Sequence, residues 1–437
     1  MATDAGNPIP RFPAGFLWGV STSAHQIEGA ADEREASVWD VFTAEPGRVK
    51  DGSTAAVACD HYHRYREDVA LLAGLGVDAY RFSVSWPRVN SPGGLDFYDR
   101  LVDELCAAGV RPVPTLFHWD LPASLDWLER DTAARFADHV SVVAERLGDR
   151  VTKWITLNEP AEHTLLGHAL GAHAPGRQLL FDALPVAHHQ LLAHGLAVQA
   201  LRATGATDIG IANSHGPTWP ASAEPADQEA AGFYDLLLNR LFAEPILLGA
   251  YPEGIGELMP GDVSADLKVI SDPIDWYGVN YYAPTRVGAP QGTEIEFGGL
   301  TMPAELPFSV REIEDRPVTD FGWPVVPEGL TELLTTFRDR YGDRLPPVVI
   351  TENGCSYEGV DDQDRIAYLD GHVRALHAAL ESGVDVRGYF VWSLMDNFEW
   401  AEGYARRFGL VHVDYETQRR TPKASYHWFR DVLRAQR

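Results

Sequence analysis

Two glutamates follow segments that have the composition of buried strands. Residues 348–351 are four β-branched residues in a row and run directly into Glu352, while the apolar segment 151–157 runs into Asn158 and Glu159. Such runs are typical of strands that are buried on both faces, as in a parallel sheet. Because an unpaired charge is costly to bury, each carboxylate either lies at the open end of its strand or is placed there for chemistry. If the two share one pocket, they can serve as an acid and as a base or nucleophile.

The elements around these glutamates predict how they are positioned. Eight segments have the composition of strands, and they begin near residues 16, 78, 111, 151, 208, 275, 346 and 386. Amphipathic helical patterns lie between several of them, for example at 96–109 and 132–148. This alternation predicts an α/β fold, a (β/α)8 barrel of the TIM type with elaborated loops at the carboxyl ends of its strands. Since active sites of such barrels lie at those ends, Glu159 and Glu352 should face one cavity, which is the arrangement that glycoside hydrolysis uses.

The overall composition argues against several other classes of protein. The chain has 437 residues and no linker, repeat or low-complexity tract, so we predict one domain over residues 1–437, with a long loop at about 285–327. Its net charge of −27 argues against nucleic acid as a partner. Cys59, Cys106 and Cys355 have the spacing of neither a disulfide framework nor a zinc site. No apolar run is long enough to span a membrane, so we expect a cytoplasmic protein, and homo-oligomer formation is left open.

Seven stretches make the sequence similar to glycoside hydrolase family 1, the β-glucosidases and β-galactosidases. In chain order they are FLWGVSTSAHQIEGA, DHYHRYREDVALLAGLGVDAYRFSVSWPR, LFHWDLP, LNEP, GVNYY, ITENG and WSLMDNFEWAEGYARRFGLVHVDY. The resemblance covers nearly the whole chain. It implies a retaining, exo-acting β-glycosidase, above all a β-glucosidase, that acts on small β-glycosides or oligosaccharides through a covalent glycosyl-enzyme. It implies neither a metal nor a cofactor.

The resemblance also assigns roles to individual residues. Glu159 matches the acid/base and Glu352 the nucleophile, whose negative charge should keep Glu159 protonated at the start of the reaction. Arg81 and Tyr282 match residues that contact the nucleophile, and Asn280 lies near them. The remaining matches form the pocket for the terminal sugar, with Trp392 as its stacking floor; the others are Gln26, His118, Trp119, Asn158, Glu399 and Trp400.

These residue types suit the roles that the resemblance implies. Asn158 can hold the 2-hydroxyl of the sugar, a contact that strengthens towards the transition state. Gln26 and an ionised Glu399 offer hydrogen bonds to the other hydroxyls, with the 4- and 6-hydroxyls expected at Glu399. Trp392 and Trp400 present flat apolar faces to the C–H face of the sugar.

Two other readings of the sequence remain open at this point. A 6-phospho-β-glycosidase would have the same fold, but that group typically has a serine in place of Glu399 and a lysine and a tyrosine shortly afterwards. A non-catalytic sugar-binding barrel would usually lack one of the two carboxylates. The sequence also departs from the family at His25, where an aromatic residue is common, and at Ala161, where larger residues are usual. In addition, the loop after SWPR is shorter than usual, and LPASLDWLERD lacks the customary Gly-Gly insertion before its tryptophan. Because these loops border the entrance, the departures leave the leaving-group side of the pocket undefined.

Overall fold

The computed structural model describes residues 8–297 and 300–437, and its centre is a closed barrel of eight parallel strands. Each strand pairs with its neighbours in the chain, and the last strand closes onto the first. All eight predicted strands and the predicted barrel are thereby confirmed. In chain order, β1 to β8 are Leu17–Ser21, Ala79–Ser83, Arg111–Thr115, Lys153–Asn158, Asp208–Ser214, Trp276–Asn280, Val348–Asn353 and Val386–Trp392.

A layer of buried side chains, one from each strand, fills the barrel. Trp276 and Phe390 are its largest members, and two glycines on neighbouring strands leave the space for them. A Cβ atom on Gly210 would lie 2.4 Å from the Trp276 ring, and one on Gly19 would lie 2.3 Å from the Phe390 ring. The barrel is therefore a packed core, and a substrate can enter only at an end of it. The layer consists of Leu17, Ala79, Val113, Ile155, Ala212, Trp276, Val349 and Phe390.

Helices surround the barrel and bury the outer faces of its strands. The two helices that the sequence predicts are confirmed as Gly94–Ala107 and Asp131–Leu147. Their apolar sides contribute Phe97, Leu101 and Phe136 to the main hydrophobic core. The other long helices are His61–Leu75, Leu184–Ala203, Pro225–Asp235, Leu241–Leu248, Val263–Ile270, Pro327–Tyr341, Gln363–Glu381 and Ala424–Gln436.

The segment that the sequence predicts as a long loop, 285–327, contains regular structure. Thr285–Gly288 pairs with Ser309–Arg311 and also with Thr218–Pro220, which lies well before the segment. Ile295–Phe297 pairs with Leu300–Met302 in a second small sheet. The prediction of a plain loop is wrong for these parts. One of the pairing partners, Thr218–Pro220, is distant in the chain. Local composition does not reveal such a partner.

Three further observations bear on the class of protein. No helix within residues 8–297 and 300–437 is long and apolar enough to cross a membrane. In the same part of the chain, no three His, Cys, Asp or Glu side chains are grouped in a way that could hold a metal ion. Cys59, Cys106 and Cys355 are free thiols.

Candidate active site

Glu352 lies at the end of β7, and both oxygens of its carboxylate are held. Its Oε1 accepts a hydrogen bond from Arg81 Nη1 at 2.5 Å, and its Oε2 accepts one from the Tyr282 hydroxyl at 2.7 Å. Arg81 is completely buried on β2, so the two groups form a buried ion pair. These bonds on both oxygens hold the carboxylate in one orientation. The contacts that the sequence predicts for Arg81 and Tyr282 are present.

Glu159 lies at the end of β4 in a strained backbone conformation. Its φ of 45° is in the left-handed region, and its N–H donates to the Ala212 carbonyl at 2.7 Å. Non-glycine residues are uncommon in that region, and they concentrate at functional sites. The side chain is buried, and burial together with the charge of Glu352 raises its pKa well above the usual range. Glu159 is thus suited to carry a proton at a pH at which an ordinary glutamate is ionised.

A chain of hydrogen bonds connects the two glutamates behind the cavity surface. Asn158 Oδ1 accepts from Arg81 Nη2 at 2.5 Å and from Asn280 Nδ2 at 3.1 Å. The same Nδ2 of Asn280 donates to Glu159 Oε1 at 2.7 Å. Asn280 therefore contacts Glu159, the candidate acid, directly, whereas the sequence analysis placed Asn280 only near Arg81 and Tyr282. Because each member holds the next, a shift of one glutamate would disturb the other.

Two threonines complete this chain, and the sequence analysis did not identify them. Thr115, at the end of β3, accepts from Arg81 Nε at 3.1 Å. Thr351, next to Glu352, donates to Asn280 Oδ1 at 2.6 Å. Both are polar residues at the carboxyl ends of barrel strands, and that position is the feature by which sequence reasoning could have found them.

One end of the site is closed by Gln26 and Glu399. Gln26 Nε2 contacts Asn397 Oδ1 at 3.0 Å, the Phe398 carbonyl at 2.9 Å and Glu399 Oε2 at 3.2 Å. Burial, followed by the nearby charges of Glu352 and Glu402, raises the pKa of Glu399 to about 8. The raised pKa favours the protonated form in the free site, and the ionised Glu399 that the sequence analysis expects at a bound sugar stays a prediction. Hydroxyl groups that donate to it would favour its ionised form.

Aromatic rings form the adjoining part of the site. His118 lies between Trp392 and Trp400, with ring centroids at 5.8 Å and 5.9 Å. Trp119 lies 4.7 Å from Trp400 and donates from its indole to the Asn158 carbonyl at 3.0 Å. Burial, assisted by the charge of Arg81, lowers the pKa of His118 well below its usual range, so its imidazole is neutral. Its Nδ1 is buried and has no hydrogen-bond partner within the described residues.

Three more rings support this group and were absent from the predicted site. His25 is parallel to Trp400, with centroids 5.8 Å apart, and Trp39 lies 4.5 Å from the same indole. His173 lies 5.7 Å from Trp119. His25 was noted only as a departure from the family pattern, and its contact with Trp400 gives that departure a structural role.

These groups surround one cavity of about 860 Å³ at the carboxyl ends of the barrel strands. Eight of the predicted residues line it: His118, Trp119, Glu159, Tyr282, Glu352, Trp392, Glu399 and Trp400. Gln26, Arg81, Asn158 and Asn280 are completely buried and reach the cavity through the hydrogen bonds described above. The direct sugar contacts expected for Gln26 and Asn158 remain predictions.

Comparison with known proteins agrees with this site. The sequence model of glycosyl hydrolase family 1 matches residues 9–437. The chain is 46% identical to thermostable beta-glucosidase B of Thermobispora bispora, over 99% of this chain and 92% of that protein. The structure is similar to that of a psychrophilic beta-glucosidase from Micrococcus antarcticus, with a TM-score of 0.93, 44% identity and coverage of 99% and 100% of the two chains. A beta-glucosidase from Thermotoga maritima in complex with deoxynojirimycin gives a TM-score of 0.91 at 42% identity, with 98% and 99% covered. The chain therefore belongs to glycosyl hydrolase family 1.

Proposed function

We propose that this protein is a retaining, exo-acting β-glycosidase whose main activity is that of a β-glucosidase. The observation that carries the proposal is the pair of glutamates in one cavity with opposite environments. Glu352 is ion-paired with Arg81, whereas Glu159 is buried and its pKa is raised. A carboxylate held by a guanidinium and a buried carboxyl with a raised pKa can act as nucleophile and acid in the same reaction. The three relatives named as beta-glucosidases, which are matched over 92%, 100% and 99% of their own length, support the choice of sugar.

The first step forms a covalent intermediate. Glu352 attacks the anomeric carbon while Glu159 gives its proton to the oxygen of the leaving group. The Arg81 guanidinium and the Tyr282 hydroxyl hold the attacking carboxylate in place. Asn280, which donates to Glu159 Oε1, holds the acid in position.

The second step releases the sugar. The bond to Glu352 removes the negative charge that raised the pKa of Glu159, so this pKa falls and the residue becomes a base. Glu159 then takes a proton from water, which attacks the anomeric carbon and displaces Glu352. The end of the cavity at Gln26 and Glu399 supports the release of terminal sugars, because the hydrogen-bonding groups of these two side chains suit the hydroxyls of a terminal sugar.

The stereochemistry of the product tests this mechanism. Double displacement predicts that the carboxyl groups of Glu159 and Glu352 are about 5 to 5.5 Å apart, which leaves no room for a water molecule on the far face. We expect the β-anomer of glucose to appear first when an aryl β-glucoside is hydrolysed. Proton NMR during the first turnovers measures this directly. An α-anomer that formed first would mean inversion and would contradict the role of Glu352.

The choice between a neutral and a 6-phosphorylated sugar tests Glu399. A phosphate close to Glu399 would meet a like charge whenever this carboxyl is ionised, and the chain has Phe398-Glu399-Trp400 where phosphoglycosidases typically have a serine. We expect kcat/KM to favour an aryl β-glucoside over its 6-phosphate by at least about tenfold, and Glu399→Ser to reduce that ratio. The ratio should increase as pH rises through about 8, because Glu399 becomes ionised there while the phosphate is already a dianion. Equal kcat/KM values for the two sugars in the wild-type enzyme would contradict the role of Glu399 in excluding the phosphate.

The non-catalytic alternative has less support. A sugar-binding barrel would have no need for two carboxyl groups in one cavity, and both Glu159 and Glu352 line it. A wild-type protein that bound glucose and hydrolysed no β-glycoside would restore that alternative.

Several further properties are part of the proposal. We infer one domain that includes the barrel and its loops, and small β-glycosides as substrates, supported by the deoxynojirimycin complex of the Thermotoga maritima relative. The three free thiols are compatible with the cytoplasmic location that the sequence predicts. A role in cellulose degradation belongs to the same proposal, while homo-oligomer formation is left open as in the sequence analysis.

A further inference from the structure

A third carboxyl group borders the cavity beside the candidate acid. Glu162 ends the short helix Pro160–Glu162, which directly follows Glu159, and its half-buried side chain lines the cavity. Ser214, the last residue of β5, lines the same cavity. In the described part of the chain it forms no ion pair with a lysine or arginine. Glu162 therefore retains hydrogen-bonding capacity that a ligand in the cavity can use.

The order of the strands in the barrel places Glu162 on the leaving-group side. Glu162 follows β4 and Ser214 ends β5, whereas Gln26 follows β1 and Glu399 follows β8. Because β4 and β5 lie across the closed barrel from β1 and β8, Glu162 and Glu399 lie on opposite sides of the cavity. Since the acid donates its proton to the oxygen of the leaving group, the wall beyond Glu159 faces that group.

The two sides of this outer part of the cavity differ in chemistry. On the side of the nucleophile, Trp323 lies 5.2 Å from Tyr282 and is stacked on Phe321 at 4.3 Å. On the side of the acid, the wall carries the carboxyl of Glu162 and the hydroxyl of Ser214. An aromatic surface facing hydrogen-bonding groups suits a ring that has an apolar face and hydroxyl groups at its edge.

Building on the proposed function, we propose that Glu162 and Ser214 form a hydrogen-bonding wall of the leaving-group subsite. This wall selects a hydroxyl-rich leaving group, in the chemical class of a second neutral sugar, over an apolar ring of the same size. An apolar ring would remove water from the Glu162 carboxyl without replacing its hydrogen bonds, which is unfavourable. Sugar hydroxyls replace those bonds, and a site built around such pairing discriminates against analogues that lack them.

Two glucosides with alcohol leaving groups of similar size test the proposal. Cellobiose has a sugar as its leaving group, and cyclohexyl β-glucoside has a six-membered ring without hydroxyls, while both require protonation by Glu159. We expect the ratio of kcat/KM for cellobiose to that for cyclohexyl glucoside to fall about tenfold or more in Glu162→Val. Glu162→Gln, which keeps the shape and the hydrogen bonds, should retain most of the ratio, and Ser214→Ala should lower it by a smaller factor.

The controls separate this role from an effect on the acid and from misfolding. Dinitrophenyl β-glucoside needs little protonation of its leaving group, so its hydrolysis by Glu162→Val shows that the variant is folded. If kcat/KM for both alcohol glucosides fell in parallel and the ratio stayed the same, Glu162 would act only through Glu159, and the proposed wall would be refuted. A wild-type enzyme that cleaved neither glucoside would instead refute the proposed function. If the wild-type enzyme cleaves both glucosides and Glu162→Val has the same ratio of kcat/KM values, only the inference about Glu162 is refuted.

Discussion

Replacement of Glu352 by glycine should lower the turnover of an aryl β-glucoside by on the order of 10⁴-fold or more, because the attacking group is lost. Azide is small enough to enter the space that the carboxylate leaves. It should attack the same face of the sugar and restore turnover with an activated substrate. The product would be the α-glucosyl azide, because a single displacement inverts the anomeric carbon. Steady-state kinetics with and without azide, and NMR of the product, measure both effects.

Glu352→Gly should also lower the stability of the protein. The position of Glu352 at the end of a strand does not by itself suggest this effect. Arg81 is completely buried and its ion pair with Glu352 would be broken. Removing one partner of a buried pair typically costs about 3–5 kcal/mol, so thermal unfolding should occur at a lower temperature. Glu358 is an exposed glutamate in the loop that follows β7. Glu358→Gly is therefore the matched control and should retain wild-type turnover. Full activity of Glu352→Gly, or a β-glucosyl azide as its product, would contradict the assignment.

Replacement of Glu159 by alanine should have an effect that depends on the leaving group. For cellobiose we expect kcat/KM to fall by about 10²- to 10⁴-fold, the usual contribution of a positioned general acid. For dinitrophenyl β-glucoside the first step should be nearly unaffected, because that leaving group departs without a proton. Azide should then accelerate the second step and give the β-glucosyl azide, since two displacements retain the configuration. An equal loss on both substrates would mean that Glu159 is not the acid.

The pH dependence provides an independent check on Glu159. As the acid, this residue must be protonated in the free enzyme, so kcat/KM for cellobiose should fall as pH rises through its raised pKa. In Glu159→Gln this alkaline decrease should disappear, because the side chain no longer titrates. If the alkaline limb were the same in both proteins, another group would be responsible for it.

The sequence by itself determined the fold and indicated the two glutamates that we propose as the catalytic pair. The strands β4 and β7 could be recognised from apolar runs that end in Glu159 and Glu352, because such runs are local and their length is that of a strand. Eight alternations of strand and helix then implied a barrel, and the barrel implied that both glutamates lie at one end. The neighbours of the pair could be named only through the resemblance to the family.

The tertiary structure decided the properties that depend on contacts between distant residues. The raised pKa of Glu159 results from its burial and from Glu352, which reaches it only when β4 and β7 join the same barrel. The hydrogen bond from Asn280 to Glu159, the raised pKa of Glu399 and the position of Glu162 have the same origin. Periodicity reports which face of an element is buried, whereas a proton affinity depends on which groups the closed barrel brings within a few ångströms of each other.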